Sequence, residues 1–199
     1  MMLTSKHNLL FKREKIQWYF LKKMKHILPK FIQKTKIQDQ ELYFYTGLLY
    51  IKRFSDVLKN KITCQFNQLI DIAVIDKPKE KVRFQITYLF LNIKFNTRLY
   101  IITKSPEASI IDTMSYLFKS ANWLEREIWD LYGLLFSKHP DLRRLLTDYG
   151  FLGHPLRKEF PLFGFKDVFF NQDKKRVTFL KMSVDRSSRV LIVETLYFG

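Results

Sequence analysis

Residues 68–103 read QLIDIAVIDKPKEKVRFQITYLFLNIKFNTRLYIIT. β-Branched and aromatic residues dominate three runs in it, Gln68–Ile75, Val82–Phe90 and Arg98–Thr103, each of a length that suits a strand. Two clusters separate the runs, Asp76-Lys77-Pro78 and Asn92–Asn96, where proline and asparagine favour turns. The stretch is therefore read as successive strands, with Phe84, Tyr88, Phe90 and Tyr100 as candidate core residues.

Upstream, LYFYT after Glu41 is strand-like, and Gly47–Lys59 places Leu48, Ile51, Phe54, Val57 and Leu58 at helical spacing. Residues 6–27 read as a basic helix with Leu10, Trp18, Leu21 and Met24 on a narrow apolar stripe, broken first at Pro29. Downstream, the pattern predicts a helix over Ser109–Ser120. It predicts a second helix capped by Asn122, with Glu125 three residues on completing a capping box. On that helix Leu124, Ile128 and Leu131 form the apolar stripe, while Glu127 and Asp130 face elsewhere. After Gly133, Pro140, Gly150, Gly153, Pro155, Pro161 and Gly164 punctuate a long irregular segment, of the kind that runs over a surface.

The chain has 199 residues, enough for one domain with appendages. Phe, Ile, Lys and Tyr are abundant and Gly is scarce, a bias that follows an AT-rich coding genome, as in an organelle or an AT-rich bacterium. One cysteine, Cys64, excludes an internal disulfide and falls short of the four or so thiolates an iron–sulfur cluster needs; it reads as a small buried hydrophobe. No apolar run reaches the length of a membrane-spanning helix, so membrane association is expected only through partners. The lysine-rich N-terminus imitates a transit peptide, but Trp18-Tyr19-Phe20 and the direct run into the fold argue against one. The net charge of +16 raises nucleic acid as a partner, yet residues 121–160 are neutral and much of the excess precedes residue 37.

The glycines are scattered, with no loop to cradle a phosphate, so nucleotide and flavin sites are not expected here. His139, Asp141, Asp148 and His154 could be imagined as metal ligands. Each histidine precedes a proline, however, and neither stands at helical spacing to another ligand, so both are read as extended corners with hydrogen-bonded imidazoles. Glu125, Glu127 and Asp130 on one short helix suit ion pairing better than acid–base catalysis. Arg143, Arg144 and Arg157 lie among Leu, Tyr, Phe and Pro, which points to buried bidentate pairing with Glu125, Glu127, Asp130, Asp141, Asp148 or a neighbour's acids.

One block carries more than its chemistry. Residues 121–160 hold Glu125-Arg126-Glu127, then Asp130, then His139-Pro140-Asp141-Leu142-Arg143-Arg144. Asp148-Tyr149-Gly150-Phe151 and Gly153-His154-Pro155-Leu156-Arg157-Lys158 follow. The block resembles the signature of the 30-kDa (NuoC-type) subunit family of respiratory complex I, the proton-pumping NADH:ubiquinone oxidoreductase. Leu69–Tyr88 and Phe160-Pro161-Leu162 extend the likeness; residues 1–40 and the tail after about Val177 match poorly.

The resemblance implies an α+β fold, helices packed on a mixed β-sheet, followed by a long extended C-terminal segment. The chain divides on this reading into a basic helical extension over 1–38, an α+β core over 39–133, and a segment over 134–199 that wraps partner subunits. It implies a non-catalytic subunit with no cofactor of its own, FMN and iron–sulfur clusters residing on partners. Those partners are a quinone-site subunit of the 49-kDa type and the ferredoxin-like and PSST-type iron–sulfur subunits. The place implied is the matrix side of the mitochondrial inner membrane, or the cytoplasmic side of a bacterial plasma membrane. Two alternatives stand beside it: the equivalent subunit of a related NAD(P)H dehydrogenase or hydrogenase, and a basic organellar ribosomal or RNA-binding protein. The last would display aromatics on an exposed sheet face.

Overall fold

The computed structural model describes residues 17–38 and 41–182. Residues 17–27 form helix α1. Strands β1 (Ile32–Gln38) and β2 (Glu41–Thr46) follow, then a 3-10 turn at Leu48–Tyr50 that runs into α2 (Ile51–Asn60). Next come β3 (Gln68–Asp76), β4 (Phe84–Asn92), β5 (Thr97–Ser105), β6 (Ile110–Asp112), α3 (Ala121–Tyr132) and β7 (Leu135–Ser137). A hairpin of β8 (Lys166–Asn171) and β9 (Arg176–Lys181) ends the described part.

Five strands make the central sheet in the order β1-β2-β5-β4-β3, antiparallel at every pairing except β2 with β5. The sheet is therefore mixed and the fold α+β, as the family resemblance implied. Period-two alternation builds the core: Phe84, Ile86, Tyr88 and Phe90 of β4 are all fully buried, opposite Ser105, Thr103, Ile101 and Leu99 of β5. Leu42 and Phe44 of β2 continue those rows beside Leu99 and Ile101. Over this face lie Leu21 and Met24 of α1, Ile51, Phe54 and Leu58 of α2, and Ala121 and Ile128 of α3. Each large side chain so withdrawn from water is worth about 1.5–3 kcal/mol. Cys64 is buried in the same core, its thiol 3.6 Å from the Met24 sulfur.

Several sequence expectations give way here. Ser109–Ser120 is no helix: Ile110–Asp112 pairs in parallel with Leu135–Ser137, and the chain then turns tightly from Met114 to Ala121. The local helical spacing loses to a pairing with residues beyond α3, which no short window contains. The α3 cap position is Ser120 rather than Asn122, and its hydroxyl donates to the Leu69 carbonyl of β3 instead of capping the helix. Asp130 does not face away from the core, since it is wholly buried. The division at residue 38 cuts between β1 and β2, which form one antiparallel pair. Residues 17–38 therefore share the main sheet and core rather than forming an extension. β1 and the β8–β9 hairpin have no counterpart in the sequence reading. The expected helix before residue 17 and the tail from Ser183 lie outside the described residues.

Candidate interface on the signature helix

α3 is closed by Gly133, whose left-handed backbone (φ 74°) lets its amide donate to the Trp129 carbonyl at 2.9 Å. Any Cβ at Gly133 would lie 2.5 Å from His154 Nε2 and 2.8 Å from Arg157 Nη2, so the segment after the helix folds back directly over this residue. Three buried polar clusters order the chain on either side of α3.

The first is Asp130. Its Oδ2 accepts the backbone amides of Leu145, Leu146 and Thr147 at 3.1, 2.7 and 2.9 Å. Its Oδ1 accepts from Thr147 Oγ1 at 2.6 Å and Arg144 Nη1 at 3.1 Å. Burial pushes this carboxyl up, but the hydrogen bonds from the Thr147 side chain and three consecutive amides outweigh it and hold the group at about 2. The backbone carbonyl of the same residue meets His154 Nδ1 at 3.0 Å, and Arg144 also donates to the Gly153 carbonyl at 3.0 Å.

The second is Glu125, also wholly buried, which accepts from the Met114 amide at 2.7 Å and from the Thr113 hydroxyl. It fixes the turn that replaces the expected helix. Burial raises its carboxyl to about 7 against those two hydrogen bonds. His139 Nε2 stands 3.8 Å away and 3.2 Å from the Asn122 carbonyl, while His139 Nδ1 accepts the Asp141 amide at 3.1 Å. An acceptor at Nδ1 places the neutral ring's proton on Nε2, aimed at Asn122. Both imidazoles are hydrogen-bonded at corners of the chain, as the His-Pro pairs suggested.

The third is a network that sequence reasoning missed. Arg83 grips Asp76 with two bonds, Nε to Oδ1 at 2.7 Å and Nη2 to Oδ2 at 2.9 Å, and its Nη1 reaches Glu159 at 2.9 Å and Glu107 at 3.2 Å. Arg157 binds Glu107 at 2.5 Å and the Tyr132 carbonyl at 2.7 Å, and the Lys158 amide donates to Asp76 at 2.9 Å. Both guanidiniums lie over the Phe84 ring, at 5.2 and 5.6 Å. The Arg83 bonds hold Asp76 below its ordinary range.

Arg126, also buried, donates to the Arg143 carbonyl at 3.2 Å and packs over Trp123 at 5.3 Å. The expected arginine pairing thus divides. Arg144 and Arg157 are tied inward, whereas Arg143 is exposed, bonding Asp141 at 2.9 Å in solvent. Pro140, Lys158 and Tyr149 are exposed and Pro155 is half-buried; the Asp148 carboxylate accepts its neighbour's amide, from Tyr149 at 2.8 Å, and its carbonyl that of Phe151 at 3.1 Å. Glu127 joins none of these pairs among the described residues. The signals that could have revealed Asp76, Arg83 and Glu107 are weak, a charge at the end of β3, one just before β4 and one in the turn after β5.

The backbone between Arg143 and Lys158 spends its polar groups inward, and its apolar side chains turn outward. Leu146 is 61% exposed, Tyr149 102%, Leu152 75% and Leu156 48%, followed by Leu162 at 81% and Phe165 at 60%. Such a patch on a folded surface marks an interaction site.

Comparison with known proteins bears on which site this is. A family model described as the 30 Kd subunit of the respiratory-chain NADH dehydrogenase matches residues 49–166. NADH-ubiquinone oxidoreductase subunit 9 of Reclinomonas americana is 42% identical over 151 residues, 76% of this chain and 74% of that protein. The probable NADH-ubiquinone oxidoreductase 30.4 kDa mitochondrial subunit of Candida maltosa is 41% identical over 162 residues, 81% of this chain and 59% of that one. A chain in the structure of an archaeal membrane-bound sulfane sulfur reductase is 21% identical, with a TM-score of 0.61 over 71% of this chain and 84% of that one, which supports the fold alone. The matched region contains α3 and all three charge clusters, and on this extent and identity the chain belongs to the family of the respiratory-chain NADH dehydrogenase 30-kDa subunit.

Proposed function

We propose that the chain is a non-redox assembly subunit of the peripheral arm of complex I, and that its surface over residues 143–165 is the face on which partners seat. The observation that carries this is the division of labour in that segment. Its backbone is bound inward to Asp130, Arg126 and Asp76, while Leu146, Tyr149, Leu152 and Leu162 point into solvent. A segment built only to close its own domain would turn those side chains the other way.

The partners assigned to this face are the quinone-site 49-kDa type subunit and the ferredoxin-like and PSST-type iron–sulfur subunits. They carry the redox groups, and this chain sets their spacing. The place is the matrix side of the mitochondrial inner membrane, with attachment only through partners. Among the described residues no helix is long and apolar enough to cross a membrane. The RNA-binding alternative is less well supported, because three of its four candidate aromatics, Phe84, Tyr88 and Phe90, are core residues, which leaves half-buried Tyr100 stacked on Tyr43 at 4.6 Å.

The test replaces Leu146 and Leu152 by Ser together. The expected result is an unchanged melting temperature of the free chain and a reduced amount of assembled complex on native gels, with unchanged turnover for each complex that forms. Full assembly with slowed quinone reduction would place the segment in the chemistry and overturn the reading.

A further inference from the structure

The outer face of α1 is absorbed by none of this. Leu21, Met24 and Leu28 lock the inner face of residues 17–28 into the core, so the opposite face is presented rigidly. It carries Trp18 at 60% and Tyr19 at 66% exposure, side by side. Lys22 lies over the Trp18 ring at 5.5 Å, and Tyr19, Lys22, Lys23, Lys25 and His26 line a shallow depression.

Residues 17–38 contain six lysines and no acidic residue. Among the described residues none of the six pairs with a carboxylate, whereas Arg143, Arg144 and Arg157 of the signature block each do. Unpaired cations around two large amphipathic rings have the anatomy of a protein interface, aromatic anchors inside a charged rim. A membrane fits poorly, because the helix has turned its apolar stripe into the core and cannot lie in a bilayer surface. Nucleic acid fits less well than protein, because every cation is a lysine and the forked donor that grips phosphate and base edges is missing.

We propose that this face, with Trp18 and Tyr19 as anchors and Lys22, Lys23 and Lys25 around them, docks a carboxylate-rich protein surface of a neighbouring subunit. The inference rests on the assembly reading above. It adds a second contact, on a different element from the signature helix.

Zero-length carbodiimide coupling of the intact complex, followed by mass spectrometry, joins a lysine amine only to a carboxylate in direct contact. The expected product links Lys22, Lys23 or Lys25 to an Asp or Glu of another subunit. The same lysines should be acetylated several-fold more slowly in the complex than in the free chain. Changing Lys22, Lys23 and Lys25 together to Glu should leave the free chain's melting temperature unchanged and weaken its retention in the complex on the order of tenfold, more at low salt than at high. A chain that assembles normally with these lysines uncoupled and fully reactive overturns the inference and leaves the assembly reading standing. Binding of the free chain to phosphatidylglycerol vesicles or to RNA, abolished by the same triple change, would reassign the face. A chain absent from the complex altogether would sink both readings.

Discussion

Glu125 and Asp130 sit on one helix, both wholly buried, and their carboxyls are displaced in opposite directions, to about 7 and about 2. The number of donors decides the sign. Burial raises both, two hydrogen bonds fail to offset it at Glu125, and a full set of amides, a hydroxyl and a guanidinium overcomes it at Asp130.

Opposite pH responses are expected. Below its ordinary value of 4.5 Glu125 is protonated in folded and unfolded chains alike; between there and about 7 only the folded state holds the proton. Its effect is thus a stability loss as pH rises through that window, by about 3 kcal/mol at most. Asp130 contributes stability above its ordinary 3.8 that disappears as pH falls towards 2. Glu125→Gln, which keeps an acceptor for the Met114 amide, should flatten the loss between about pH 4.5 and about pH 7 in thermal melts. An unchanged slope would show that Glu125 is not the titrating group.

Asp130→Ala strands three amides and Arg144 and should destabilise by about 3–5 kcal/mol. Exchange at the Leu145, Leu146 and Thr147 amides should accelerate with it. Arg143→Ala, by contrast, removes a solvated pair and should cost no more than about 1 kcal/mol. Equal losses from the two changes would contradict the assignment of Asp130 as the anchor.

Arg83→Lys keeps the charge but cannot grip Asp76 twice while reaching Glu107 and Glu159. We expect a loss of roughly 1–3 kcal/mol and faster exchange at the Lys158 amide, which shares Asp76. A variant as stable as the parent would mean that the network adds little beyond its packing.

Gly133→Ala puts a methyl group where His154 and Arg157 lie, on a backbone with φ of 74°. The expected cost is about 1–3 kcal/mol, with the loss of the Arg157 contact to the Tyr132 carbonyl. Asn at the same position tolerates the backbone but still clashes, so rescue by Gly133→Asn would attribute the effect to conformation alone.

The central strands were legible because their signal is local: Phe84, Ile86, Tyr88 and Phe90 alternate within one run. β6 was not, because Ile110–Asp112 is a strand only by virtue of Leu135–Ser137 on the far side of a helix. The signature residues were legible as a set, yet their roles were not. Nothing in the string separates Arg144, tied to buried Asp130, from Arg143 one position earlier, exposed and paired with exposed Asp141. Asp76 and Arg83 face each other across a turn whose sequence reads as an ordinary loop, and the Lys158 amide that also binds Asp76 is 82 positions away from it. Long-range charge pairing leaves no periodicity to find.

The one parallel pairing in the main sheet, Leu42 with Leu99 and onward to Tyr45 with Ile102, sets an order of events during synthesis. β2 leaves the ribosome long before β5 exists, so β1 and β2 can form only a two-stranded ribbon, too small to hold by itself. The run β3–β4–β5 needs only short turns and completes first. The early ribbon then has to wait and dock on its far edge. A nascent chain halted before β5 would therefore expose β2 as an unpaired edge, and that interval is when this protein would need a chaperone.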